Sequence, residues 1–224
     1  MRHFVEELEQ LKTKLLEMSS LVESAINRSV TAVVQKDESA AQEVLKNEGR
    51  INQIEIEIDD FAVNLLALQQ PMAADLRLIV ATLKINTDLE RMGDLAVNIA
   101  RRAINLIREP VVKPMLDIPH MASLVQSMVR KSLDAFVARD ADLARSVLSS
   151  DDSVDSLRAA SFHELISFME KDPQNIRQAL DLLGIVRHLE RIADHATNIA
   201  EDVLFLVKGI DVRHHAEISP ATKI

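Results

Sequence analysis

The chain has 224 residues, with 26 Lys and Arg against 35 Asp and Glu for a net charge of −9, and it contains no Cys, Trp or Tyr. Without cysteine there is no disulfide framework, thiolate zinc site or Cys nucleophile, so any metal must be held by oxygen or imidazole. The negative balance repels phosphate backbones and anionic lipid, which argues against nucleic acid as a partner, and the few breakers, 4 Gly and 6 Pro, suit long helices.

The first seven residues, Met1-Arg2-His3-Phe4-Val5-Glu6-Glu7, are acidic within one turn and do not read as a signal peptide. Apolar runs such as Leu76–Leu83, interrupted by Arg77, fall short of the roughly 18–20 residues of a membrane span. The expectation is a cytoplasmic protein with no direct membrane insertion. Phe4, Leu8, Leu11, Leu15, Met18, Val22, Ala25, Ser29 and Ala32 alternate steps of four and three, the seam of a packed helix that runs to about Gln35. Asp37, Pro71, the Pro110/Pro114/Pro119 cluster, Asp140, Pro173 and Gly209 are the later stop and start signals. They divide the chain into six helices. The fold class is therefore all-α.

Three prolines between Glu109 and Pro119 read as a stiff linker, giving bundles at 1–108 and 120–208, a linker at 109–119 and a fraying tail at 209–224. The halves resemble each other. Ala25–Leu45 matches Met128–Leu148 at an offset of 103 through Ser29/Ser132, Ala32/Ala135, Val34/Val137, Asp37/Asp140, Ala41/Ala144, Val44/Val147 and Leu45/Leu148. Asp88–Ala100 matches His188–Ala200 at an offset of 100, and the identities include Glu90/Glu190, Arg91/Arg191, Asp94/Asp194 and Asn98/Asn198. A shared apolar background would not match polar residues, so the six helices are expected to form two similar three-helix bundles related by internal duplication.

Leu89, Met92, Ala96 and Ile99 form an apolar stripe roughly opposite Glu90, Asp94 and Asn98, so these acids face away from the bundle core. Glu190 and Asp194 repeat the arrangement, with Glu201 further along the same helix. Antiparallel hairpins bring residues equidistant from their turn to one level. A pivot at Asp172 sets Asp155 beside Glu190 and Asp151 beside Asp194. One at Pro71 sets Asn52 beside Glu90 and Glu48 beside Asp94. Converging carboxylates take up protons unless a hard cation lies among them, so a metal site is expected in each half. The oxygen donors suit Mg, Mn or Fe, and Zn if a histidine helps. The second site can draw on Asp151, Asp155, Glu190, Asp194 and Glu201. The first has Asn52 in place of an acid and Arg101 where Glu201 stands, so tighter binding is expected in the second half.

Gln70-Pro71-Met72-Ala73-Ala74-Asp75-Leu76-Arg77, Lys84–Ala100 and His188–Glu201 together resemble the PhoU family of phosphate-transport regulators, and the likeness covers essentially the whole chain. The resemblance implies two similar three-helix bundles that bind metal through E(D)-x-x-x-D motifs, here Glu90/Asp94, Asp151/Asp155 and Glu190/Asp194. Glu48/Asn52 departs from that pattern. It also implies a dimeric, non-catalytic negative regulator of phosphate uptake and of the phosphate-starvation response. Its partners would be phosphate ABC transporter subunits and a phosphate-sensing histidine kinase, which would bring it to the inner face of the membrane. A di-metal oxidase is disfavoured, because the acid-x-x-His spacings are Asp117/His120 in the linker and Asp211/His214 in the tail. No Gly-rich phosphate loop or nucleophile elbow points to an enzyme. The remaining alternative is a helical scaffold without metal or signalling.

Overall fold

The structure, a computed structural model, describes residues 2–109 and 116–209, and among them every regular element is helical. Most of the expected linker and nearly all of the expected tail, including His214 and His215, lie outside the described residues. Helix α1 spans Arg2–Gln35, α2 Glu38–Gln69 and α3 Ala73–Arg108. In the second half α4 spans Ile118–Ala138, α5 Ala141–Leu148, α6 Asp151–Lys171 and α7 Ile176–Lys208, with a single 3-10 turn at Pro173–Asn175 before α7.

The seam of α1 is the buried one: Leu11, Leu15, Met18, Val22 and Ala32 are inaccessible to solvent, and Phe4 is half-buried at its start. Helix boundaries follow local chemistry. Asp37 caps α2 by accepting from the Ser39 and Ala40 amides at 2.9 and 3.1 Å. Asp140, its duplicate, caps α5 by accepting from the Asp142 and Leu143 amides at 2.9 and 3.0 Å. Asp140→Ala is expected to lower the unfolding free energy by about 1 kcal/mol, the usual worth of such a cap, measurable by chemical denaturation. Asp117 caps α4, and Pro119 lies in its first turn, where a missing amide costs nothing, so the helix begins inside the stretch read as linker.

The fifth helix of the sequence reading is two helices. The hydroxyls of Ser149 and Ser150 bond back to the carbonyls of Arg145 and Ser146 at 3.2 and 2.8 Å. Such back-bonding competes with the backbone ladder, and α5 ends there. The break gives α6 its own N-terminal turn, which begins with Asp151 and Asp152, where carboxylates are favoured by the helix dipole.

Helices α1 and α2 pack on α3, and α4, α5 and α6 pack on α7. The duplication extends to buried polar detail. Ser29 and Ser132, both fully enclosed, each donate to the carbonyl three residues earlier at 2.8 Å. Helices α3 and α7 run against each other through the middle of the molecule, burying Ile85, Leu89, Met92 and Ile99 alongside Ile185, Leu189, Ile192 and Ile199. One hydrophobic core therefore runs through both halves. Polar ties cross the same boundary: Lys84 Nζ meets Asp202 Oδ1 at 2.7 Å, and Arg102 Nη1 meets Asp181 Oδ1 at 2.9 Å. None of the helices is long and apolar enough to cross a membrane among the described residues.

Candidate metal centre

The short turn between α6 and α7 lays the first turns of α6 along the middle of α7. Asp151, Asp155, Glu190 and Asp194 are thereby brought within electrostatic reach of one another. Burial, then the carboxylates of Asp194, Asp155 and Asp152, hold the Asp151 carboxyl above its ordinary 3.8. Burial, then Glu190 and Asp155, do the same to Asp194, with His195 and Arg191 opposing. The register expected between these two helices is thus reproduced in the charges that act across it.

A side chain absent from the sequence reading sits among them. Arg158 Nε lies 3.3 Å from Glu190 Oε1 and 3.6 Å from Asp155 Oδ1, so a guanidinium bridges the two helices. Its position, three residues after Asp155, is the signal that could have revealed it.

In the first half, α2 and α3 are displaced from the level set by a pivot at Pro71. Ile51 seats over Gly93, where an added Cβ would lie 3.1 Å from the Ile51 Cδ1. The acid that reaches the α3 pair is accordingly Glu55, neither Glu48 nor Asn52. Glu90 is raised above its ordinary 4.5 by burial, then by Asp94 and Glu55. Glu55 is raised by burial, then by Asp59 and Asp94. Asn86, fully buried, donates to the Glu55 carbonyl at 3.0 Å and to Asp59 Oδ1 at 2.8 Å, fixing this stretch of α2 on α3. Glu48 instead meets Arg101 Nη2 at 3.4 Å, and Asn52 is exposed on α2. The i, i+4 spacing of Glu55 and Asp59 was the available sequence signal.

Glu201 belongs to a different feature. With Lys84, Thr87, Asp88, Arg91, Asn198 and Asp202 it lines a cleft of about 320 Å³ between α3 and α7. At its floor His195 Nδ1 lies 2.7 Å from Asp88 Oδ1, and the Asn198 amide donates to the same oxygen at 3.3 Å. Asp88 and His195 are each only 7% exposed, so this pair is an interior link between the halves.

As the side chains are placed, no three acidic or imidazole groups among the described residues stand close enough to share an ion. The donor chemistry nevertheless suits a hard cation: the set is entirely carboxylate, and it lies at a solvent-facing seam where an ion could keep water ligands. Asp155 and Arg158 are about half exposed, which leaves both free to rotate. Burial first, then neighbouring carboxylates, raise both Asp151 and Asp194, a cost to the ionised acids that a cation at the seam would relieve.

Two segments of the chain, residues 15–103 and 118–203, match the family model described as the PhoU domain. The chain is similar to relatives described as phosphate-specific transport system accessory protein PhoU homologs. It is 44% identical to the one from Pseudomonas putida, over 95% of this chain and 84% of that protein. It is 42% identical to the one from Aquifex aeolicus, over 93% of this chain and 94% of that protein. The crystal structure of PhoU from Pseudomonas aeruginosa has a TM-score of 0.90 at 44% identity, covering 92% of this chain and all, 100%, of that one. The regulatory protein PhoU from Streptococcus pneumoniae has a TM-score of 0.86 at 31% identity, covering 93% of this chain and 99% of that one. The two repeats, the paired acidic seams and this likeness along nearly the whole length together place the chain in the PhoU family.

Proposed function

We propose that the chain is a non-catalytic accessory of the phosphate transport system, a cytoplasmic negative regulator that restrains phosphate uptake and the phosphate-starvation response when phosphate is plentiful. The observation that carries this reading is the pair of PhoU domain matches, backed by relatives named as transport accessories over 95% of the chain. Its action is binding: rigid helices present surfaces to phosphate ABC transporter subunits and to a phosphate-sensing histidine kinase, and the protein works as a homodimer. The net charge of −9 favours basic patches on those partners.

Metal assists this binding. Asp151, Asp155, Glu190 and Asp194 would hold an ion between α6 and α7, and Glu90 and Asp94 with Glu55 would form a weaker counterpart between α2 and α3. Bound there, Fe, Mn, Mg or Zn would supply positive charge that cross-links adjacent helices and neutralises their carboxylates. Deleting the gene is expected to switch on a phosphate-starvation reporter in high-phosphate medium, and the intact gene on a plasmid is expected to silence it. A reporter that stays repressed in the deletion strain contradicts the regulatory reading.

A further inference from the structure

Duplication has given the α3–α7 pair two equivalent flanks, and they differ in charge. The first is the cleft lined by Lys84, Asp88, Arg91, Glu201 and Asp202, in which acids and bases answer each other. At the matched positions of the second flank, Asp88 is replaced by His188, Glu201 by Arg101, Asp202 by Arg102 and Thr87 by Arg187, while Arg91 becomes Arg191 and Lys84 becomes Gly184. Three acids have been exchanged for two arginines and a histidine. In a chain of net charge −9, this concentration of guanidinium runs against the overall field.

Neutralisation of this flank is incomplete. Glu48 reaches Arg101, and Asp181 reaches Arg102 at 2.9 Å. Arg187 and Arg191 have no ion-pair or hydrogen-bond partner among the described residues. Gly184 lets Arg102 lie flat against α7, where a Cβ would stand 2.3 Å from the guanidinium Nε and Cζ. The Nδ1 of His188 is buried here without a hydrogen-bond partner. Among the described residues Glu48, Asp181 and, at longer range, Asp194 offset the charge of these arginines only in part. Beside Asp181, the partner of Arg102, the groove meets a wider space of about 480 Å³ lined by both signs of charge, Arg108 and Arg177 with Glu109 and Asp181.

We propose that this groove between α3 and α7 binds a multiply charged phosphoryl oxyanion, held by Arg187 and Arg191 on α7 and by Arg102 on α3. A single carboxylate presents one edge to one guanidinium fork. A tetrahedral phosphoryl group offers oxygens in several directions and can be met by forks from two helices at once. The wider end has room for a larger molecule that carries such a group. The acidic seams, α6 against α7 and α2 against α3, each share one helix with the groove, and Arg191 acts on Asp194 across that helix.

The test is calorimetric titration of the full chain, in the presence of a chelator so that no anion rides on a metal. The probes are inorganic phosphate, ATP and, for comparison, acetate. The expected result is saturable binding of phosphate or ATP but not of acetate. The Arg187→Gln/Arg191→Gln double variant should weaken it at least about tenfold, the consequence of losing charge-assisted hydrogen bonds. Arg130→Gln, an exposed arginine on α4 that faces Glu23 of α1, should leave it unchanged. Saturation by inorganic phosphate identifies the free ion as sufficient, whereas saturation by ATP alone identifies a phosphate chain on a larger ligand. No saturation with either phosphoryl probe, equal binding of acetate, or equal affinity in wild type and double variant overturns the proposal.

Discussion

Replacing Asp194 with Asn is expected to weaken divalent-ion binding in the second half by at least about tenfold, because loss of even an outer partner of a metal ligand typically costs 10- to 100-fold. Asp151→Asn should behave alike, since both carboxyls are raised by burial and then by the acids around them. Glu48→Gln should have little effect, because Glu48 is engaged by Arg101. Arg158→Gln should act in the opposite direction and tighten the site, because its guanidinium occupies the space between Asp155 and Glu190 that a cation would take. Titration of chelator-treated protein with Mn²⁺, followed by calorimetry, reads all four variants on one scale.

The pH dependence follows from the same carboxyls. Asp151, Asp194, Glu90 and Glu55 are raised in the folded protein above ordinary values of 3.8 and 4.5. Between the unfolded and folded values the native state binds more protons than the unfolded chain, so their contribution to stability falls as pH rises through that window. Below the unfolded values the penalty is absent, and above the folded values it is fully present. Metal-free protein should therefore lose stability from these groups as pH climbs out of the acid range. Saturating Mn²⁺ should restore it at neutral pH, and metal affinity should decline as protons compete in the same window. Denaturation midpoints with and without metal across that range measure both effects.

Leu89→Ala is the substitution expected to cost most in stability. Leu89 is fully enclosed on α3, the central helix that α1, α2 and α7 all pack against. Removing a buried leucine side chain to Cβ typically costs about 2–5 kcal/mol. In a chain of this size each kcal/mol moves the midpoint by roughly 2–4 °C. Because α3 and α7 share one core, the two halves should unfold in a single transition that shifts as a whole. Leu189→Ala, its duplicate on α7, should produce a comparable shift. A variant in which one half melts early while the other keeps its wild-type midpoint contradicts the shared core. Calorimetry distinguishes the two patterns directly.

Helix ends and duplication were legible in the sequence because they are written in short-range chemistry. Asp37 and Asp140 cap helices as their positions predicted, and the α1 seam is the buried one. The level of α6 on α7 was also readable, since a short turn fixes it. What escaped depends on contacts between helices. The offset of α2 on α3 follows from Ile51 settling over Gly93, which a count of residues from Pro71 cannot register. That displacement brings Glu55, in place of Glu48 and Asn52, to Glu90 and Asp94. Arg158 did not enter the sequence reading, and only the packing of α6 shows that it reaches Glu190 as well as Asp155. Glu201 shares the α7 sequence block with Glu190 and Asp194 yet lines the cleft toward α3, because a long helix presents different faces to different neighbours. The break at Ser149 and Ser150 falls in the polar run Ser149-Ser150-Asp151-Asp152-Ser153, which holds no Pro or Gly, and hydroxyl bonding to the preceding turn decided it.

The claim on which the mechanism depends is that a cation joins α6 to α7. Crystals of the protein loaded with Mn²⁺, measured with anomalous scattering at the manganese edge, test it most directly. The account predicts an anomalous peak coordinated by carboxylates from Asp151, Asp155, Glu190 and Asp194, with Arg158 turned away from Glu190. Loaded crystals with no peak at that seam, and Arg158 still bridging Asp155 and Glu190, would contradict it.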